Sequence, residues 1–210
     1  MNRLAGFTAS TLLFSSTLAA AAGGNITGVV GFRQVDRAQW APTDTQGMLG
    51  VLADFSYWEA PLHLEVGLLG SGDSGHVETA PGSGQFDKVR QSVGDLSFGV
   101  LFIPDYGYVR PYVGLGVASV SVNARIEDAS GRHTDDDTSA GWYGAAGVMW
   151  RLTPNFDLGV DARYLGGTRM QIFGSDVDVN SYTVALRLGY GWDLHRRDYD
   201  DRRPRRPRRY

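Results

Sequence analysis

The chain has 210 residues, of which 28 are Gly and none is Cys; 42% are hydrophobic, 11% aromatic, and the net charge is −3. That much apolar matter excludes a disordered chain. The missing Cys excludes disulfide scaffolds, thiol catalysis, Cys-held zinc and iron–sulfur clusters. Charge is uneven: residues 195–210 hold eight Arg and three Asp, net +5, whereas residues 23–194 hold eleven Lys and Arg against twenty Asp and Glu, net −9. An acidic body with a basic tail is no general nucleic-acid binder, so no nucleic-acid partner is expected.

Residues 1–22 read as a secretory signal peptide. Arg3 gives a positive start, Leu4 to Leu18 is apolar, and Ala19-Ala20-Ala21-Ala22 offers small-residue cleavage sites. The run is broken by Thr8, Ser10, Thr11, Ser15 and Ser16, and a membrane helix needs ~20 apolar residues. Sec-type export is expected.

From Asn25 to Leu194 the pattern has a period of two. Eight runs are predicted as strands. In Asn25–Val35, Ile26, Gly28, Val30 and Phe32 share one parity. In Gly47–Trp58 they are Leu49, Val51, Ala53 and Phe55, and in Leu62–Gly70 Leu62, Leu64, Val66 and Leu68. Ser92–Ile103 places Leu96, Phe98, Val100 and Phe102 together, and Val109–Ile126 does so with Val113, Leu115 and Val117. The apolar parity of this fifth run then switches near Ser119, which predicts a bulge there. Ser139–Leu152 aligns Trp142, Ala146, Val148 and Trp150; Phe156–Leu165 aligns Leu158, Val160, Ala162 and Tyr164; Tyr182–Leu194 aligns Val184, Leu186, Leu188 and Tyr190.

The apolar parity carries no charge. The other holds Arg33, Asp54, Glu65, Asp95, Arg110, Arg151, Asp157, Asp161, Arg163, Arg187 and Asp193. Alternation alone leaves open which face is the outside. The connections decide it. Gaps 36–46, 71–91, 127–138 and 166–181 are long, those between are short, and the two kinds alternate. Long outer loops and short periplasmic turns build a transmembrane up-and-down barrel. Aromatics gather at run ends, where amphipathic rings suit a membrane boundary: Tyr57, Trp58, Phe102, Tyr106, Tyr108, Trp150, Phe156 and Trp192 by the short turns, Phe32, Trp142, Tyr164 and Tyr182 by the loops. Open strand edges are untenable in lipid, so the first and last runs should pair with each other. The expected fold is all-β: an eight-stranded antiparallel up-and-down transmembrane β-barrel over 23–194, followed by a basic disordered tail over 195–210.

At Arg110-Pro111-Tyr112-Val113-Gly114-Leu115-Gly116 and Phe156–Tyr164 the sequence resembles the small outer-membrane β-barrel family of the OmpA transmembrane domain, OmpX and OmpW. The resemblance implies residence in a Gram-negative outer membrane among lipid and lipopolysaccharide. Arg187, Gly189, Trp192 and Leu194 resemble the signal read by the barrel-assembly machinery, a partner during insertion.

The inward charges are the candidate site. Glu65, Asp95 and Asp161 are expected to pair with Arg163, Arg187 and Arg151, with His63 nearby, because isolated charges in so narrow a lumen would be costly. A structural ion-pair plug is the plain reading; a gated narrow pore for small solutes is the alternative. A lipid A-modifying enzyme has thinner support, since His63, His76, His133 and His195 repeat no hydrolase motif. Asp135-Asp136-Asp137 read as a solvated loop tip, and no metal or cofactor is expected. The Arg-rich tail suits anionic lipid or periplasmic polyanions. The body reads as a scaffold with acidic loops outside. If the apolar parity faces lipid, Leu64→Arg or Val160→Arg destabilises the barrel by ~2–4 kcal/mol, measured by denaturant unfolding in lipid; a neutral result reverses the parity.

Overall fold

The computed structural model describes residues 23–35, 43–56, 61–78, 86–104, 107–128, 131–172 and 175–193. The signal peptide, Leu194, the tail, and Tyr57, Trp58 and Tyr106 lie outside the described residues. Eight long strands form the wall: β1 (Gly23–Val35), β2 (Thr45–Ser56), β3 (Leu62–Glu78), β4 (Phe86–Phe102), β5 (Val109–Asp128), β6 (Gly131–Arg151), β7 (Phe156–Gly166) and β10 (Ser181–Asp193). Between β7 and β10, β8 (Arg169–Ile172) and β9 (Ser175–Asp178) make a separate hairpin. The wall closes as expected, with β1 pairing antiparallel to β10 from Gly23↔Asp193 to Val35↔Ser181. Following the cross-strand partners of Gly23 once around, through Ser56, His63, Leu101, Gly114, Ala145, Arg163 and Thr183, returns to β1 at Arg33, ten residues on. That stagger is the tilt closure requires.

The apolar parity faces outward. Leu64 is 62% and Leu115 72% exposed, whereas Thr27 and Leu101 are fully buried. On β10 the outward row runs Tyr190, Leu188, Leu186, Val184, Tyr182. Eight residue rises at ~3.4 Å, tilted ~40°, give roughly 20 Å, close to the ~25 Å apolar band of membrane barrels. Rings border it. Trp142, Tyr164 and Tyr182 meet in sequence at the loop end, edge-on at 5.3 Å and tilted at 4.8 Å between centroids. At the turn end Phe156 meets Tyr190 at 5.3 Å and Phe55 meets Trp192 at 6.3 Å.

The expected bulge near Ser119 is absent. β5 keeps one register with β4 and with β6 across Ser119, and Ala118, Val120, Val122 and Ala124 point inward while Ser119, Ser121 and Asn123 point out. The side-chain chemistry switches and the backbone does not. Below Ser119 the outer face meets acyl chains; above it the wall stands in water, and apolar residues turn to the interior as in a soluble protein. The same extension corrects the third loop. β6 begins at Gly131, so Asp135, Asp136 and Asp137 lie within a strand rather than on a loop tip. β3 and β4 likewise run on to Glu78 and from Phe86.

Inward glycines make room for rings. A β-carbon on Gly147 would overlap the Tyr112 hydroxyl, and one on Gly99 that of Tyr143. Gly147→Val should therefore cost about 1–3 kcal/mol by overpacking. Gly144→Ala on the same strand, whose β-carbon meets nothing within 4 Å, should be near neutral. Paired unfolding curves check this.

Candidate functional site

Two Arg–Tyr–carboxylate sets fill the middle of the lumen. In the first, Arg163 Nη2 donates to Glu65 Oε1 at 2.9 Å, Tyr143 Oη donates to the same oxygen at 2.9 Å, and the guanidinium lies 4.5 Å over the Tyr143 ring. In the second, Tyr112 Oη donates to Asp161, and Arg187 lies 4.8 Å over the Tyr112 ring. Asp161 joins the sets, at 3.8 Å from Arg163 Nε and 3.9 Å from Arg187 Nη1. Each cation thus meets a carboxylate and the negative face of a ring, which offsets part of its lost hydration. β3, β6 and β7 carry the first set, and β5, β7 and β10 the second, so only closure assembles either.

Toward the loop end Arg33 pairs with Asp95 and donates to Ser71 Oγ at 3.2 Å, while Ser71 donates to Gln46 Oε1 at 2.8 Å. At the turn end His63 Nδ1 meets Asp54 Oδ1 at 2.8 Å, and Arg110 Nη1 is 3.8 Å from Asp157. Among the described residues Arg33, Arg110, Arg151, Arg163 and Arg187 face inward with Asp54, Glu65, Asp95, Asp157 and Asp161, and Asp193 at the turn end and Asp73, Asp135 and Asp137 at the loop end share the inward parity.

Of the residues named from sequence, Glu65, Asp161, Arg163 and Arg187 meet in one group. Asp95 pairs instead with Arg33, from across the barrel. His63 turns to Asp54, and Arg151 stands opposite Asp157 at the turn end, four residues along β7 from Asp161. Tyr112, Tyr143, Ser71 and Gln46 complete the network. Their signal was the inward parity they share with the charges. Among the described residues no three His, Asp or Glu side chains group to hold a metal ion.

Glu65→Ala leaves the Arg163 guanidinium with the Ser97 hydroxyl at 3.4 Å, distant Asp161 and the ring, and without a close carboxylate. Loss of about 3–5 kcal/mol is expected by urea unfolding in detergent. Glu65→Gln, which keeps an acceptor, should lose less.

No curated protein matches the chain. Solved structures share the fold. OprG of Pseudomonas aeruginosa is 15% identical with a TM-score of 0.56, covering 83% of this chain and 97% of that one. A major outer membrane protein from Thermus thermophilus is 16% identical at 0.55, covering 81% and 99%. Ail of Yersinia pestis, solved with the heparin analogue sucrose octasulfate, is 14% identical at 0.53, covering 81% and 97%. The family model described as outer membrane protein beta-barrel domain matches residues 5–192. The apolar belt, the closed wall and that match together place this chain in the outer membrane protein beta-barrel domain family.

Proposed function

We propose that this barrel is a non-conducting scaffold of the outer membrane, whose role is to hold and present its loop-end surface to partners outside the cell. The lumen carries this reading. Side chains that water does not reach stand at every height: Leu101 and Met149 at the turn end, Glu65 and Arg187 midway, Val93 and Val120 at the loop end. The loop end carries exposed polar residues, Ser121, Asn123, Asp136 and Thr138, suited to contact in water. In this reading the chain is exported by the Sec route and inserted by the barrel-assembly machinery. It sits among lipopolysaccharide, with the short turns in the periplasm. The Arg-rich tail at 195–210 then lies beside anionic inner-leaflet headgroups and periplasmic polyanions.

One feature favours a narrow gate as the second reading. Asp161 is held by neither arginine at hydrogen-bond distance, an arrangement suited to partner exchange. Planar-bilayer recording of the purified full chain separates the two. Silence is expected for the parent protein and for Asp161→Asn. Discrete currents that change with Arg187→Gln would overturn the scaffold reading. Expression should also leave the lipid A mass spectrum unchanged.

A further inference from the structure

The β8–β9 hairpin belongs to no part of the barrel ladder. Its own ladder has four pairs, Arg169↔Asp178 to Ile172↔Ser175, and the β7–β10 ladder is complete without it, with Ser181↔Leu165 as its loop-end pair. Yet Met170 within it and Val179 beside it are sunk in the barrel mouth. Met170 and Val179 are buried in one apolar cluster with Val35 of β1, Val93 of β4, Val120 and Val122 of β5, Tyr143 of β6 and Leu165 of β7. That cluster draws on five barrel strands, so the two residues are seated in the mouth, while β8 itself rests against β6. Its other face is wet: the Arg169 side chain is 78% exposed and lies 3.7 Å from Asp178.

The attachment is narrow. At the neck, Val179 N–H donates to Thr168 O at 3.2 Å, and Gly167 adopts φ +77° beside the Trp142 indole, a conformation that side-chain-bearing residues rarely take. One polar tie to the wall is Asp137 of β6, whose Oδ2 accepts the Gln171 N–H at 2.8 Å while Oδ1 accepts the Thr138 N–H at 2.8 Å. These donors hold its carboxyl below the usual carboxylate range, so the tie is charged at neutral pH. An open groove of about 540 Å³, lined by Asp136, Asp137, Arg169, Met170 and Gln171, brings water to it.

We propose that the β8–β9 hairpin is a hinged lid on the loop-end mouth, closed by the seating of Met170 and Val179 and latched to the β6 wall by Asp137. Opening swings the hairpin about Gly167 on one side and Asn180 on the other, between the barrel pairs Trp142↔Gly166 and Val35↔Ser181, and breaks neither. The lid sits above the charged network and stands apart from whether that network conducts.

The chain has no Cys, so one introduced thiol reports one position. The full chain is reconstituted in lipid vesicles and treated with a membrane-impermeant thiol reagent. Met170→Cys should react far more slowly than Arg169→Cys, and its rate should rise on the order of tenfold when Asp137→Ala is added, the effect of one charge-assisted hydrogen bond. Ala185→Cys, buried midway down the lumen, should stay slow in both backgrounds. Met170→Cys reacting as fast as Arg169→Cys, or a rate unmoved by Asp137→Ala, overturns the lid. If Asp137→Ala does not fold, amide exchange of the parent protein decides. Gln171 and Val179 should exchange together and faster than the β7 and β10 amides, and equal protection overturns the lid. Bilayers that remain silent with the lid released preserve the scaffold reading.

Discussion

Everything in this molecule follows from the cost of an unpaired backbone N–H or C=O in hydrocarbon, several kcal/mol for each group. A sheet can meet that demand only by closing, and here β1 and β10 pair over the whole length of both strands. Closure with a stagger of ten residues sets the tilt and leaves a lumen narrow enough for side chains to fill. Charges inside that lumen must find partners on other strands. The Arg163–Tyr143–Glu65 and Arg187–Tyr112–Asp161 groups are therefore consequences of closure as well as contributors to it.

The wall crosses two solvents, and its chemistry switches where they meet. On β5, Val113, Leu115 and Val117 face out below Ser119, whereas Val120 and Val122 face in above it, with no change of register. Each half obeys the same rule, that apolar surface avoids water. Lipid satisfies it on the outside below, and an interior cluster satisfies it above. The loop end is thus built like a small soluble protein set on a membrane barrel. That is why the β8–β9 hairpin can bury Met170 and Val179 there while presenting Arg169 to water.

The network accounts for several of the inward glycines. Tyr112 and Tyr143 pack against the inner wall where Gly147 and Gly99 carry no side chain. The guanidiniums of Arg187 and Arg163 lie over those rings. Ring, glycine and arginine form one packing unit, and it brings together residues from strands that are distant in sequence.

The amino-acid order by itself determined the all-β class, the eight wall strands, their antiparallel order, the closing pair and the parity facing lipid. These properties are local, or follow from alternation in a run and the lengths of neighbouring connections. It misled at Ser119, where a change of surroundings looked like a change of backbone, and at Thr134–Thr138, where three Asp suggest a turn until pairing with β5 overrides propensity. Tertiary structure alone decided the partners of each charge. Arg33 and Asp95 are 62 residues apart, and Arg163 and Glu65 are 98 apart. Nothing in a strand's own sequence records which side chain will stand across the lumen, because that depends on the stagger with which the whole sheet closes.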